Sequence, residues 1–207
     1  MNTNKLDWKK DRKALYFPPA EPVLVDVPSI NYLMLDGHGD PNRSEHYQAV
    51  VEALFSLAYT LKFAIKKAEG LEYAVFPAEG LWWVEDMHTF SIDHKQDWDW
   101  TMMIAQPDCV TAEWVEQARG DALKKKGLVL LEQVRFTAYA EGPCAQLMHT
   151  GPYAAEGPNI ARLHAFIEAQ GGLRAGKHHE IYLNDMRRIA PEKLKTVIRQ
   201  PYQRSGE

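Results

Sequence analysis

The sequence has little of what marks a secreted, membrane-spanning or nucleic-acid-binding protein. Its two cysteines, Cys109 and Cys144, are too few for a framework of disulfides, so a cytoplasmic, reducing location is expected. No stretch approaches the roughly 18 uncharged apolar residues of a membrane helix, and residues 1–13 are charged and lack the apolar core of a secretory signal. The formal net charge of −4 argues against direct nucleic-acid binding, and neither a nucleic acid nor a membrane is expected as a partner.

The remaining composition is typical of one globular protein of moderate size. The chain has 207 residues, of which 45% are apolar and 25% are charged, so it is long enough to bury a substantial core. Aromatic residues make up 11%, including six Trp and nine Tyr. Some of these rings are expected to line a pocket, because Trp and Tyr combine a large apolar surface with a polar tip.

Hydrophobic periodicity predicts three helices separated by short strands. The clearest helix covers 44–67, where apolar residues recur at steps of three and four between an N-cap at Ser44 and a C-terminal Gly70. Two shorter helices are predicted at 111–126, in a peripheral place, and at 157–170. The predicted strands are 23–27, 30–35, 73–76, 81–84, 97–105, 129–140, 144–149, 178–183 and 194–200.

The two halves of the chain share one order of elements. Residues 32–39 and 146–153 both run from an apolar strand through a turn glycine, Gly37 or Gly151, towards an amphipathic helix. In each half, two further strands follow that helix. This order predicts a duplicated β-α-β-β unit.

The duplication leads to a specific expectation for the fold. An N-terminal arm, residues 1–20, is expected to pack on the outside of a single domain formed by 21–204. The domain consists of two repeats, about 21–106 and 129–202, with the peripheral helix between them. The expected class is α+β, with a joined antiparallel sheet that carries the helices on one face and a ligand groove on the other.

The strand at 178–183 contains the best candidate for chemistry. Side chains alternate along a strand, so Glu180 and Tyr182 share one face with His178, whereas Ile181 and Leu183 share the other, which we assign to the helices. If the first face lines the groove, burial would raise the pKa of Glu180 and suit it to general-base work or to pairing with a cation. The alternative is a solvated face on which Glu180 is an ordinary surface residue.

Aromatic residues provide candidates for the walls of this groove. Trp82 and Trp83 are neighbours on a strand, so one of the two rings should reach the groove while the other packs under the helices. Trp100 lies on the next strand, and Tyr153 follows a turn where the groove would open. Core packing is the alternative for each ring.

The sequence predicts neither a metal site nor a cofactor. His178 and His179 are adjacent and point in opposite directions on a strand, and the other histidines lack zinc-binding spacing. Cys144 has no flanking base, and the nucleophile and dinucleotide motifs GxSxG and GxGxxG do not occur. Residues 174–204 contain eight Lys or Arg against three Asp or Glu, which fits either a phosphate-binding surface or solvated strand edges.

Several motifs distributed over residues 20–202 resemble those of a known family. They are HEIYLND at 179–185, Arg187-Arg188, PEKLKT at 191–196, AEGLWW at 78–83, WDWTM at 98–102 and HTGPY at 149–153. On these motifs the chain resembles the GyrI-like small-molecule-binding proteins, in their stand-alone branch without a DNA-binding domain. The resemblance implies the duplicated fold with a hydrophobic groove between its halves.

The resemblance also implies a site and two classes of function. In regulators that contain this domain the groove binds drug-like, often cationic, aromatic compounds, whereas some stand-alone relatives hydrolyse the cyclopropane ring of DNA-alkylating natural products. Glu180 and Tyr182 are the implied catalytic residues. The implied ligand-binding residues are Trp82, Trp83, Trp100, Tyr153 and Glu180. The chain is therefore expected either to bind a hydrophobic or cationic small molecule passively, or to hydrolyse a strained ring. In the second case Glu180 orients or deprotonates water and a tyrosine hydroxyl stabilises the phenolate-like leaving system.

Overall fold

The structure, a computed structural model, describes residues 4–90 and 94–204. The helices are α1 (Trp8–Asp11), α2 (Lys13–Tyr16), α3 (Glu45–Glu69), α4 (Ala112–Lys126) and α5 (Gly157–Ala169). The strands are β1 (Asn4–Leu6), β2 (Val23–His38), β3 (Leu71–Tyr73), β4 (Ala78–Trp83), β5 (Asp99–Ala105), β6 (Arg135–Thr150), β7 (Gly172–Arg174), β8 (His178–Tyr182) and β9 (Lys195–Arg204). This mixture confirms the predicted α+β class.

Six strands form a closed antiparallel ring. Their order is β6-β2-β5-β4-β8-β9, and β9 pairs back onto β6 to close it. The ring closes because β2 and β6, with 16 residues each, pair with each other over part of their length and with β5 or β9 over the rest. β7 extends the far end of β9, and β1 pairs separately with β3.

Prolines and glycines do not interrupt the two long strands, although the sequence predicted a break in each. The predicted strands 23–27 and 30–35 form one strand, since the register of β2 with β6 passes over Pro28 and resumes at Ser29. In β6 the predicted break at Gly142 is a local left-handed residue, with φ of 70°, inside a continuous strand. Residues 129–133, predicted as strand, form a 3₁₀ turn before β6.

The pairing pattern is unchanged when the two halves are exchanged. β2 pairs with β5 as β6 pairs with β9, and β4 and β8 pair with each other. In the same way α3 packs on β2 and β5, while α5 packs on β6 and β9. This is the arrangement that two β-α-β-β repeats require, with both helices on the outer face of the ring.

α3 is the central helix of the first half. Its N-cap Ser44 accepts a hydrogen bond from the Tyr47 amide, and Gly70 ends it in the left-handed conformation, as predicted. The helix is long and apolar enough to cross a membrane by length and composition alone. Its apolar face is used differently here: Val50 and Leu57 are fully buried against the sheet. α4 packs on α3 at the periphery, also as predicted.

Part of the N-terminal arm reaches the inner side of the ring, although most of its residues are exposed, as expected for a segment packed on the outside. Tyr16 is only 1% exposed, and its hydroxyl donates a 2.7 Å hydrogen bond to Glu79 on the inner face of β4. The main-chain carbonyl of Leu15 accepts a hydrogen bond from Arg199 at 2.7 Å. The arm enters because the ring interior contains polar groups that need partners, which a residue-by-residue polarity pattern does not show.

Candidate functional site

Strand β8 presents Glu180 on the outer, helix-bearing face of the ring. Glu180 pairs with Gly80 on one side and with Ile198 on the other, and Ile198 packs in the apolar cluster that contains Leu163 of α5. Ile181, which the sequence analysis placed under the helices, instead lies on the inner face and is fully buried. The face assignment was therefore wrong, because alternation shows which residues are opposed but not which set points inward.

Both oxygens of the Glu180 carboxylate accept hydrogen bonds from its own strand. His178 Nε2 lies 3.0 Å from Oε1, and the Tyr182 hydroxyl donates to Oε2 at 2.7 Å. The Tyr182 hydroxyl in turn accepts a hydrogen bond from Trp82 Nε1 at 3.1 Å. Burial acts to raise the pKa of Glu180, but the bonds from His178 and Tyr182 outweigh it and hold that pKa below its ordinary value. Glu180 is thus an oriented, ionised carboxylate, and the predicted upward shift does not occur.

A second carboxyl, Glu156, lies beside Glu180 and was not found from the sequence. Glu156 immediately precedes α5 and is only 4% exposed. Burial, followed by the negative charge and hydrogen bonding of Glu180, raises the pKa of Glu156 to about 9. Two adjacent carboxyls that cannot both ionise hold one proton between them, and here Glu156 holds it.

Three buried polar atoms around this pair of carboxyls have no well-aligned hydrogen bond among the residues described. They are Glu156 Oε1, His178 Nδ1 and Thr196 Oγ1. Thr196 is fully buried and lies opposite Tyr182 on the neighbouring strand. Such groups are costly inside a protein unless water or a ligand satisfies them. Their concentration at one place is typical of a site built for a polar group that enters from outside.

The turn before α5 is held in place by His149. Asn159 Nδ2 donates to His149 Nδ1 at 2.8 Å, so the ring proton lies on Nε2, which donates to the Pro152 carbonyl at 3.2 Å. Gly151 permits this turn, since its φ of 140° is strained for other residues. The same turn presents Tyr153, whose ring packs edge-on against Tyr182 with centroids 5.5 Å apart.

Two of the three predicted tryptophans line the same face as Glu180. Trp82 contributes its indole N–H to the Tyr182 hydroxyl, and Trp100 lies one strand further away, where it is fully buried. Tyr47, from the first turn of α3, packs edge-on against Trp100 with centroids 5.3 Å apart. Trp83 points to the opposite face of β4, where the Lys177 ammonium lies 3.1 Å from its ring centroid. The structure therefore brings Trp82 and Tyr153 to Glu180, keeps Trp100 as a wall behind them, and does not bring Trp83.

Comparisons with known proteins identify the family. The GyrI-like small molecule binding domain matches residues 20–203. The chain belongs to the GyrI-like family. A conserved protein from Listeria innocua is 39% identical, with a TM-score of 0.89, and the match covers 96% of this chain and 100% of that one. A second structure, a hydrolase from Listeria innocua, is 38% identical with a TM-score of 0.86, and 97% and 100% are covered. The EcmrR C-terminal domain shares the fold alone, at 13% identity and a TM-score of 0.56, with coverage of 92% and 99%. No curated protein matches the chain.

Access to the site of this GyrI-like domain is narrow. The Glu180 side chain is 13% exposed, and the surrounding Tyr47, Tyr153 and Tyr182 are half-buried. A cavity of about 550 Å³, lined by residues such as Val84 and Thr89, does not include Glu180 among its lining residues. A bulky ligand would have to displace tyrosine rings to reach the carboxylate.

The GyrI-like domain offers hydrogen-bonding groups here instead of metal ligands. Within residues 4–90 and 94–204, no group of three or more His, Cys, Asp or Glu is arranged to hold a metal ion. His178 and His179 point to opposite faces, as predicted. Sequence reasoning missed Tyr47, which it assigned to the apolar face of a helix, and Glu156, whose only signal is its position just before a Gly-Pro helix start.

Proposed function

We propose that this GyrI-like domain binds bulky hydrophobic compounds and hydrolyses cyclopropane-containing, DNA-alkylating ones, with Glu180 as the general base. The observation that carries the proposal is an ionised carboxylate, fixed at both oxygens by His178 and Tyr182 and still 13% exposed among half-buried tyrosine rings. A general base must be ionised, oriented and in reach of water, and Glu180 meets each condition. The hydrolase from Listeria innocua, at 38% identity over nearly the whole chain, supports a hydrolytic reaction.

The geometry divides the work between Glu180 and its neighbours. Each Glu180 oxygen retains a lone pair after the bonds from His178 and Tyr182, so one of them can accept a proton from a water molecule. Tyr182 acts as a positioning residue, since its hydroxyl proton is already donated to Glu180 and is not free to stabilise a leaving group. The tyrosine and tryptophan rings hold a flat substrate by stacking and exclude bulk water.

Passive sequestration is the second candidate function, and one feature favours it. A buried carboxylate among aromatic rings also pairs well with a cationic aromatic compound, without any reaction. In that case Glu180 contributes affinity alone. The expected location for either function is the cytoplasm, where a DNA-alkylating compound would have to be intercepted.

Turnover of a cyclopropane-bearing alkylator separates the two functions. The purified protein is incubated with the compound, and the ring-opened hydrolysis product is followed by chromatography with mass detection. We expect wild-type turnover, a loss of roughly 10²–10⁴-fold in kcat for Glu180→Gln, and no change for Glu168→Gln, the same chemical change at an exposed position of α5.

Ligand binding provides the control for that experiment. Trp fluorescence should show that Glu180→Gln still binds the neutral alkylator with nearly wild-type affinity, because only a charge is removed. If the wild type forms no product but binds an aromatic cation that Glu180→Gln does not bind, the domain is a passive binder. If Glu180→Gln turns over at the wild-type rate, Glu180 is not the base.

A further inference from the structure

The proposed ring opening needs a proton donor as well as a base. When water attacks a cyclopropane carbon, the electron pair of the broken C–C bond collects on an electron-accepting atom of the substrate, which must be stabilised. Tyr182 is the nearest hydroxyl to Glu180, but it donates its proton to Glu180 Oε2 at 2.7 Å. A different group has to supply the proton.

We propose that Glu156 is the general acid of this site and gives its proton to the substrate oxygen that takes up the electron pair of the broken bond. This inference rests on the proposed hydrolytic function and deepens it. Glu156 is only 4% exposed and lies directly beside Glu180. Its Oε1 atom has no well-aligned hydrogen bond among the described residues. The Thr196 hydroxyl and Glu180 are its hydrogen-bonding neighbours, and only a protonated Glu156 can donate to a substrate oxygen.

The position of Glu156 is not explained by a structural role. A residue just before a helix ordinarily caps it, but the Glu156 side chain makes no capping hydrogen bond to α5. Only its main chain serves the helix, through the carbonyl that accepts from the Ile160 amide at 3.0 Å. The carboxyl is instead directed to the Thr196 hydroxyl and to Glu180. A buried acid that neither caps a helix nor pairs with a counter-ion lowers the stability of the protein. Buried groups with this kind of cost are typical of functional sites.

The proposed step balances in atoms and charge. The water oxygen bonds to the ring CH₂ carbon while one water proton passes to Glu180. The cyclopropane C–C bond breaks, its electron pair moves through the conjugated system to the carbonyl oxygen, and that oxygen takes the proton of Glu156. The products are a hydroxymethyl group and an enol or phenol. Direct transfer of the new Glu180 proton to ionised Glu156 then restores the resting state without an external acid.

Several other groups face Glu156 and influence its titration. The charged or titratable ones are Glu180 and Tyr182 of β8, Tyr153 of its own turn and Lys95 of the turn before β5, while His178 of β8 and Tyr47 of α3 act on the neighbouring Glu180. Glu180 has the largest effect among them, and Lys95 acts in the opposite direction. Ionised Glu156 therefore becomes favourable only at alkaline pH, or when Glu180 has taken a proton during the reaction.

The test is a pH profile of turnover with a carbonyl-conjugated cyclopropane. For the wild type we expect a bell, with an acid limb from Glu180 and an alkaline limb from Glu156. Glu156→Gln should lose the alkaline limb and lower kcat by roughly 10²–10³-fold, with KM nearly unchanged. Tyr153→Phe, a change in the same turn, should keep the alkaline limb. Glu156→Asp should recover part of kcat, because it restores an acid with shorter reach.

A second measurement keeps the inference testable apart from turnover. The infrared spectrum of the wild type should contain the C=O stretch of a protonated carboxyl at neutral pH, and Glu156→Gln should lack it. An unchanged kcat and bell in folded Glu156→Gln, or the absence of that band from the wild type, would overturn the role of Glu156 and leave Glu180 as base untouched. No turnover by the wild type would overturn this inference together with the proposed function.

Discussion

His179 and Glu180 are neighbours on β8, yet they lie in two very different buried environments. On the inner face His179 donates from Nε2 to Glu79 and from Nδ1 to Glu141, both at 3.0 Å. Glu141 also accepts from Arg199 at 3.2 Å. On the outer face Glu180 accepts from His178 and Tyr182, but next to it the Glu156 carboxyl has an unpartnered oxygen.

The comparison teaches that burial of charge does not by itself identify a functional site. The inner cluster has two carboxylates and two cations, and Tyr16 and Gln146 complete its hydrogen bonds. Such a cluster holds the fold together and has no capacity left for a ligand. The outer pair of carboxyls has a shared proton and partnerless neighbours, so a ligand or water can complete it.

The largest effect that would test this contrast is expected from Arg199→Met. Removing this cation leaves Glu79 and Glu141 short of a buried partner, which should cost about 3–5 kcal/mol in free energy of unfolding. Urea unfolding at neutral pH measures it. Glu180→Gln, a change at a charged side chain on the other face that is 13% exposed, should cost far less. Equal costs for the two variants would contradict the division into a structural face and a functional face.

A smaller effect of opposite sign is expected from Glu156→Gln. At pH 8 the unfolded chain gains free energy by ionising Glu156, which the folded protein keeps protonated because burial and Glu180 raise its pKa to about 9. The amide has no such proton linkage, so we expect the variant to be about 1–3 kcal/mol more stable than the wild type at pH 8. Thermal and urea unfolding measure this. A loss of stability at pH 8 would show that Glu156 has a structural role after all.

Tyr182→Phe and Tyr16→Phe form a matched pair, since each removes a hydroxyl that donates to a buried glutamate at 2.7 Å. Without the Tyr182 bond, which lowers the pKa of Glu180, that pKa should rise. Because the base must be ionised, the acid limb of activity should move to higher pH. Tyr16→Phe should reduce stability by about 1–2 kcal/mol and leave the acid limb in place. A shift of the limb in both variants would show that the two faces are coupled.

The smallest effect concerns the pH dependence of stability in the inner cluster. Burial opposes ionisation of Glu141, but His179 and Arg199 lower its pKa to about 2, so its contribution is present above the unfolded value and is lost as pH falls towards 2. Burial opposes the charge of His179, but Glu141 and Glu79 raise its pKa, so its contribution is present below about 6.5 and declines as pH rises through the folded value.

These signs make the inner cluster most stabilising between about pH 4.5 and 6.5. The unfolding free energy of Glu156→Gln, in which the opposing outer group is absent, should show that maximum, with slopes no steeper than about 1.4 kcal/mol per pH unit for each proton. His179→Gln should remove the decline at higher pH. A curve that stays flat from pH 4 to 8 would contradict the assignment of charges in the cluster.

Local signals in the sequence were sufficient for the helices and for the choice of β8. Ser44 and Gly70 bound α3, and Thr111 and Gly127 bound α4, because caps and left-handed glycines act within a few residues. Alternation correctly separated Glu180 from Ile181. It could not show which side faces inward, since this depends on closure of the ring through pairs far apart in the chain.

The inner cluster and the pairing of Glu156 with Glu180 depend on contacts that no local sequence pattern contains. Glu79 and His179 are 100 residues apart in sequence, and Arg199 meets Leu15 across 184 residues. Glu156 becomes an unusual acid only because folding places it beside Glu180. Pro28 would break an ordinary central strand, because proline has no N–H to donate. In β2 it lies at the one position between Val27 and Ser29 that has no partner in the register with β6.

The hydrogen bonds from the ring to the N-terminal arm bear on where this domain begins as an autonomous unit. The family match starts at residue 20, but the carbonyls of Ala14 and Leu15 satisfy Gln146 and Arg199, which face each other on the paired strands β6 and β9. A chain cut at the family boundary would retain every strand of the ring and yet leave two buried donors without acceptors. We therefore expect the smallest stably folded unit to begin upstream of the family match, because it includes the short segment with Ala14 and Leu15.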